Sequence, residues 1–201
     1  MKVEYRADHD ISAQTVQSAT GRPLEVWFTA MDAKGGPAAG RKALGDYLVK
    51  EQKLNAWWSV TLIVEYEKSR GALEKDGRPR VYGICVTKPI AAPPPRGYAA
   101  LLDARTWLGT GSTADVRETG VFDDGDGHCG VFRKLNPGKL IRFTWEGRGH
   151  QPGETVEIKL AASAAGISVV LNHDRLPDRP AADGMRAAWA KVLDSLRERL
   201  A

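Results

Sequence analysis

Residues 55–71, NAWWSVTLIVEYEKSRG, admit two readings that lead to different folds. Trp58, Val60, Leu62, Val64 and Tyr66 alternate with Ser59, Thr61, Glu65 and Glu67, as in a half-buried strand. Against that, the stretch is longer than ordinary strands, Asn55 is a good helix N-cap, and Lys68 and Arg70 precede Gly71 as a basic last turn with a terminal glycine. Length and caps decide for a helix. Adjacent helical positions lie ~100° apart, so Trp57 and Trp58 cannot form one flat platform for a ligand or a base. Trp58 shares a face with Leu62 and Tyr66, and one of the two tryptophans is expected to pack against Trp27 and Phe28. The other would reach a neighbouring helix or the C-terminal domain.

Working outward, Ser12–Ala19 reads as a short helix ahead of Thr20 and Gly21. Pro23 suits a first helical position, and Leu24, Trp27, Phe28 and Met31 form one stripe closed by Gly35 and Gly36. A further helix from about Pro37 carries Leu44, Tyr47 and Leu48 on one side and Arg41, Lys42, Asp46 and Lys50 on the other.

Beyond Arg80 the pattern changes to strands and turns. Residues 81–88 are β-rich; Ile141, Phe143 and Trp145, then Val156, Ile158 and Leu160, then Ile167, Val169 and Leu171 alternate with polar neighbours. Asp126-Gly127 and Pro137-Gly138 are hairpin turns by composition. PPPRGYAALLDARTWLG (93–109) reads as a helix after the first strand, and Met185, Trp189, Val192, Leu193, Leu196 and Leu200 make one apolar stripe at the end of the chain. The expected class is α+β, with a small N-terminal helical bundle (1–71), a polar, breaker-rich linker (72–79) and a C-terminal domain (80–201) whose curved antiparallel sheet wraps a long helix.

With 29 basic and 25 acidic residues interspersed over 201 positions, the net charge of +4 reads as solubility rather than a nucleic-acid surface. No window approaches a membrane span and the start carries no apolar leader, so a cytoplasmic chain with nothing cleaved is the expectation. Cys85 and Cys129 lack CxxC spacing and read as buried thiols.

Several stretches invite chemistry. DDGDGHCG (123–130) fails as a calcium loop, because counting from Asp124 puts Cys129 at the glycine position and Leu135 at the twelfth. On a strand, His128 and Cys129 would face opposite ways and could not share a metal, so the stretch reads as a hairpin turn. GTGSTA (109–114) follows a helix and precedes a strand, the reverse of a dinucleotide fingerprint. The histidines, His9, His128, His150 and His173, are scattered. His173 follows an alternating strand and precedes the last helix. It is either a solvated turn residue or a hydrogen-bonding, proton-transferring group at a cavity mouth. If the sheet curves around the last helix, Trp107, Phe143, Trp145, Met185 and Trp189 meet at their interface, where they either line a pocket or fill it. No catalytic set, metal or cofactor is expected.

IAAPPPRGYAALLDARTW, NPGKLIRFTWEG, GETVEIKLAASAAGISVVLNHDRLP and MRAAWAKVLDSLRERL, in that order, resemble the helix-grip, START-like (SRPBCC) superfamily in its branch of Hsp-90 ATPase activator homologues. TGRPLEVWFTAMDA and LGDYLVKEQKLNAWWSVTLIVEYEKSRG resemble a small bacterial helical domain of unknown function. The resemblance implies a non-enzymatic binding protein with an apolar cavity for a small hydrophobic or amphipathic ligand, lined by Trp107, Phe143, Trp145, His173, Met185 and Trp189. It also implies two alternatives, chaperone ATPase activation and a cyclase- or hydrolase-like enzyme using the same cavity. A protein partner could dock through the helical domain.

Overall fold

Asn55 begins the helix that the capping signals called for: its side chain accepts a hydrogen bond from the Trp58 amide at 2.9 Å, and α4 runs Ala56–Ser69. The strand-like alternation has a physical source. Trp58, Ser59, Thr61, Leu62, Ile63, Val64, Tyr66 and Glu67 are all buried, so this central helix is covered on most sides and its 3.6-residue period is blurred. The computed structural model describes residues 1–147, 152–164 and 166–201. His150 therefore lies outside the described residues. Among the described residues no helix is long and apolar enough to cross a membrane.

Contacts divide the chain into two units, Asp8–Val81 on one hand and Met1–Ala7 with Tyr82–Ala201 on the other. In the first, α1 (Ala13–Thr20), α2 (Leu24–Ala33) and α3 (Gly36–Asp46) precede α4. Ser12 caps α1, and Trp27 of α2 donates its indole proton to Thr20 at 2.8 Å. The third helix is not the continuous one expected: Gly40, at φ 81° and ψ 157°, breaks it, and Tyr47–Glu51 forms a π-helical turn. Leu44, Tyr47 and Leu48 nonetheless reach the core with Trp27, Met31, Trp58, Leu62 and Tyr66. Trp57 stands edge-on to Trp58 at 4.7 Å and to His9 at 4.9 Å.

The segment after α4 is pinned rather than loose. Glu67, fully buried, receives Arg41 at 2.7 Å and Arg80 at 2.8 Å, and Leu73 and Pro79 form a β-bridge.

In the second unit the strands are β1 (Tyr82–Ile90), β2 (Thr113–Ala114), β3 (Val121–Asp123), β4 (His128–Asn136), β5 (Leu140–Thr144), β6 (Glu146–Gly147), β7 (Thr155–Ser163) and β8 (Gly166–Leu176). They form one antiparallel sheet in the order β1-β8-β7-β5-β4-β3-β2, with β6 beside β4. Helix α5 (Pro94–Leu102) and a 3₁₀ turn (Ala104–Thr106) follow β1, and α6 (Arg179–Leu200) ends the chain. Asp178 caps α6 through the Ala181 amide at 2.8 Å. Met185, Trp189, Leu193, Leu196 and Leu200 of α6 are buried, and Val192 is half-buried. The expected architecture, a curved sheet gripping a long last helix, is the one observed.

The register brings Ile84, His173, Val156, Phe143 and Phe132 into one row across five strands. The expectation of buried thiols is corrected by the same alternation: Cys85, between buried Ile84 and Val86, faces solvent, and Cys129 is half-buried.

Candidate functional site

Six sequence-selected residues meet in the interior. Trp107, Phe143, Trp145, His173, Met185 and Trp189 are each at most 3% exposed. Trp107 stacks on Phe143 at 5.0 Å, Trp145 stands edge-on to Trp189 at 5.4 Å, and Phe122 and Phe132 join them. Each well-oriented aromatic pair adds about 0.5–1.5 kcal/mol beyond area burial, so this is a rigid wall.

Polar groups enter this wall by the same two-residue period that builds it. His173 continues Ile167, Val169 and Leu171 on β8 and is fully buried. The reading of His173 as a solvated turn residue is thereby corrected; β8 runs on to Leu176, and position 173 faces inward. Trp189 donates its indole proton to His173 Nδ1 at 3.2 Å. An indole can only donate, so Nδ1 is the acceptor and the ring proton sits on Nε2, 3.2 Å from the buried carboxylate of Glu154. Both ring nitrogens are thus engaged, which makes His173 a fixed polar wall rather than a proton shuttle.

A second pair lies on the β3–β4 hairpin. The turn chemistry of DDGDG is as expected, with the Gly125 and Asp126 amides donating to the Asp123 and Asp124 side chains at 2.7 and 2.8 Å. The same turn also does more than turn. Asp124 Oδ1 takes the His128 amide at 2.9 Å, and Oδ2 takes His128 Nδ1 at 2.6 Å, with both residues buried. Burial alone would raise the Asp124 carboxyl, but the hydrogen bonds from the His128 backbone and ring and from the Asp126 amide hold it below its ordinary value. An ionised Asp124 only accepts, so Nδ1–H donates to it, and Nε2 is the ring nitrogen turned away from that carboxylate.

Nε2 lies 3.5 Å from the hydroxyl of Tyr5. Burial first, then the charges of Glu154 and Asp124, push the Tyr5 phenol up to about 12, so it keeps its proton at neutral pH. The His128 ring stacks on Trp145 at 5.5 Å, and Trp145 meets His173 edge-on at 6.1 Å, so one indole separates the two histidines. An open pocket of about 640 Å³, lined by Met1, Lys2, Val3, Tyr5 and residues 125–128, adjoins His128. Among the described residues no group of three His, Cys, Asp or Glu side chains is arranged to hold a metal ion.

Sequence reasoning missed Tyr5, Asp124 and Glu154 and set His128 aside. For two of these the signal was present. Extending the alternation of β7 back by one step reaches Glu154, and His128, Gly130 and Phe132 share the inward face of β4. Nothing local marks Tyr5, which arrives from far away in the chain.

A model of the family described as activator of Hsp90 ATPase homolog 1-like protein matches residues 91–201. Among solved structures, the chain is similar to the AHSA1-like protein of Rhizobium etli, at 25% identity and TM-score 0.52 over 61% of this chain and 84% of that one. It is similar to CalU16 of Micromonospora echinospora at 21% identity and TM-score 0.52, over 59% and 76% of the two chains. It also resembles the Aha1 dimer of Colwellia psychrerythraea at 21% identity and TM-score 0.50, over 60% and 96%. The last two likenesses speak for the fold alone. No curated protein matches the chain.

Proposed function

The chain belongs to the activator of Hsp90 ATPase homolog 1-like family, and from that premise we propose that its helix-grip unit binds a small amphipathic molecule. The apolar body would be received among Phe122, Trp145 and their aromatic neighbours, and a polar end would meet His128. The observation that carries this reading is the entry of two carboxylate–histidine pairs, Asp124–His128 and Glu154–His173, into an otherwise aromatic interior beside an open pocket. Ligand sites combine such apolar walls with a few placed polar groups. A core serving stability alone gains nothing from buried ionisable groups that apolar side chains of similar volume could replace.

The two pairs differ in what they offer. His173 is saturated by Trp189 and Glu154 and serves to hold the wall in place. His128 is oriented from behind by Asp124 and turns Nε2 toward the Tyr5 hydroxyl. Native mass spectrometry of the full chain, purified without organic solvent, is expected to reveal a small-molecule adduct that denaturation releases. Bare chain mass alone, persisting after incubation with 2-naphthol as an amphipathic probe, would contradict the reading.

A further inference from the structure

In the Asp8–Val81 unit, α3, the π-helical turn and α4 border an open groove of about 360 Å³. Its lining is mostly aliphatic: buried Ile63 and Val64 lie beside Val49 and Val60, which are 41% and 43% exposed. Val60 thus stands open on a helix that is otherwise covered on most sides. Gly45 keeps the groove wide. Its backbone is helical, where glycine is unfavourable compared with alanine. Among the described residues, a Cβ built there would meet the Ile63 Cδ1 at 3.8 Å, an ordinary contact. Neither backbone nor internal packing calls for glycine here, and its missing side chain leaves room for close approach from outside. Charge is confined to one wall. The charged lining residues, Arg41, Lys42 and Asp46, all stand on α3. Arg41 is committed to the buried Glu67. Asp46 is shared by Lys42 at 3.3 Å and Lys50 at 3.1 Å, lysines whose side chains are 94% and 72% exposed. Hydrogen bonds from Lys50 first and then Lys42 hold the Asp46 carboxyl below its ordinary value, so it is ionised and neutralises one ammonium of the two. One positive charge is left over on this rail.

We propose that this groove docks an acidic amphipathic helix of a partner protein, with aliphatic side chains seated between Val49 and Val60 and carboxylates paired with Lys42 and Lys50. The two lysines are eight residues apart, ~12 Å along a helix axis. A small molecule with one anionic head engages one of them. A helix presents its i, i+3, i+4 and i+7 positions on one face, so it carries the apolar anchors and two acids about two turns apart at once. Exposed ion pairs such as Lys42–Asp46 contribute little, which leaves both ammonium groups free to exchange partners. The lining holds no aromatic ring on which a base could stack, so the cationic rail does not suit a single-stranded nucleic acid. This docking surface is independent of the ligand reading of the helix-grip unit.

The test uses the full chain, two variants and two synthetic helical peptides. One peptide has leucines along one face and glutamates beside them; its twin has lysines in place of the glutamates. Gly45→Leu fills the groove from below, and the double variant Lys42→Glu/Lys50→Glu reverses the rail at two exposed positions. Calorimetric titration of the wild type is expected to show saturable binding of the glutamate peptide, at least fivefold tighter than that of its lysine twin. Gly45→Leu is expected to weaken the glutamate peptide at least fivefold. The double variant is expected to invert the preference and bind the lysine peptide better, an outcome that loss of stability cannot imitate. A preference that survives the charge reversal overturns the acidic class of partner. Binding unchanged in Gly45→Leu and in Val60→Ser places the peptide elsewhere and overturns the groove. Self-association of the wild type that Gly45→Leu abolishes, without binding of either peptide, assigns the groove to a second copy and overturns the proposal, as does the absence of any saturable peptide binding.

Discussion

Asp32 illustrates how one residue ties the helical unit to pH. Its carboxylate accepts from the Tyr66 hydroxyl at 2.5 Å and from Arg70 at 2.6 Å. The Arg70 hydrogen bonds first, then that of Tyr66, lower it from 3.8 to about 2. A lowered carboxylate contributes stability that is fully present above its ordinary value and is lost as pH falls through the lowered one. The denaturation midpoint of the chain is therefore expected to fall between about pH 4 and pH 2 more steeply than in Asp32→Asn. Equal slopes for the two proteins would show that the trio contributes nothing. Trp58, in the same core at 4% exposure, is expected to cost about 3–5 kcal/mol when changed to alanine, read as a shift in the denaturant midpoint.

At the scale of elements, α4 is held at its end by Glu67, whose buried carboxylate joins Arg41 of α3 to Arg80 beyond the turn. Glu67→Gln removes the charge that two arginines share and is expected to destabilise the helical unit by about 2–4 kcal/mol; unchanged unfolding would refute the role. Elements were also where the sequence was most readable. The cap at Asn55 marked a real helix start, the short helix read from Ser12 is α1, and the apolar alternation of β5, β7 and β8 marked real inward faces. The helix from Pro37 was less legible, because a non-helical glycine and a π-helical turn leave the apolar spacing intact while breaking the backbone. His173 was singled out but left between two readings for another reason. A polar residue at the end of an alternating strand looks like its termination, and the pairing register shows that the inward face continues through His173. Cys85 was misjudged by residue type when its parity on β1 pointed outward.

Over the whole molecule, chemistry depends on parts distant in sequence. Tyr5, His128, Glu154 and His173 come from an irregular N-terminal segment, a hairpin, the approach to β7 and β8. Composition and local period carry no record of that convergence, which is why the aromatic set was legible and the polar pairs were not. The N-terminal resemblance to a helical domain likewise gave no sign that Met1–Ala7 belongs to the other unit. The central claim is that a small amphipathic ligand enters the helix-grip interior. The most direct measurement follows the indole N–H resonances of the full chain while 2-naphthol is added. The account predicts saturable shifts at Trp145 and Trp189, which flank His173, with Trp27 of the helical unit unmoved. Shifts confined to Trp27, Trp57 and Trp58, or no saturable shift at Trp145 and Trp189, would contradict it.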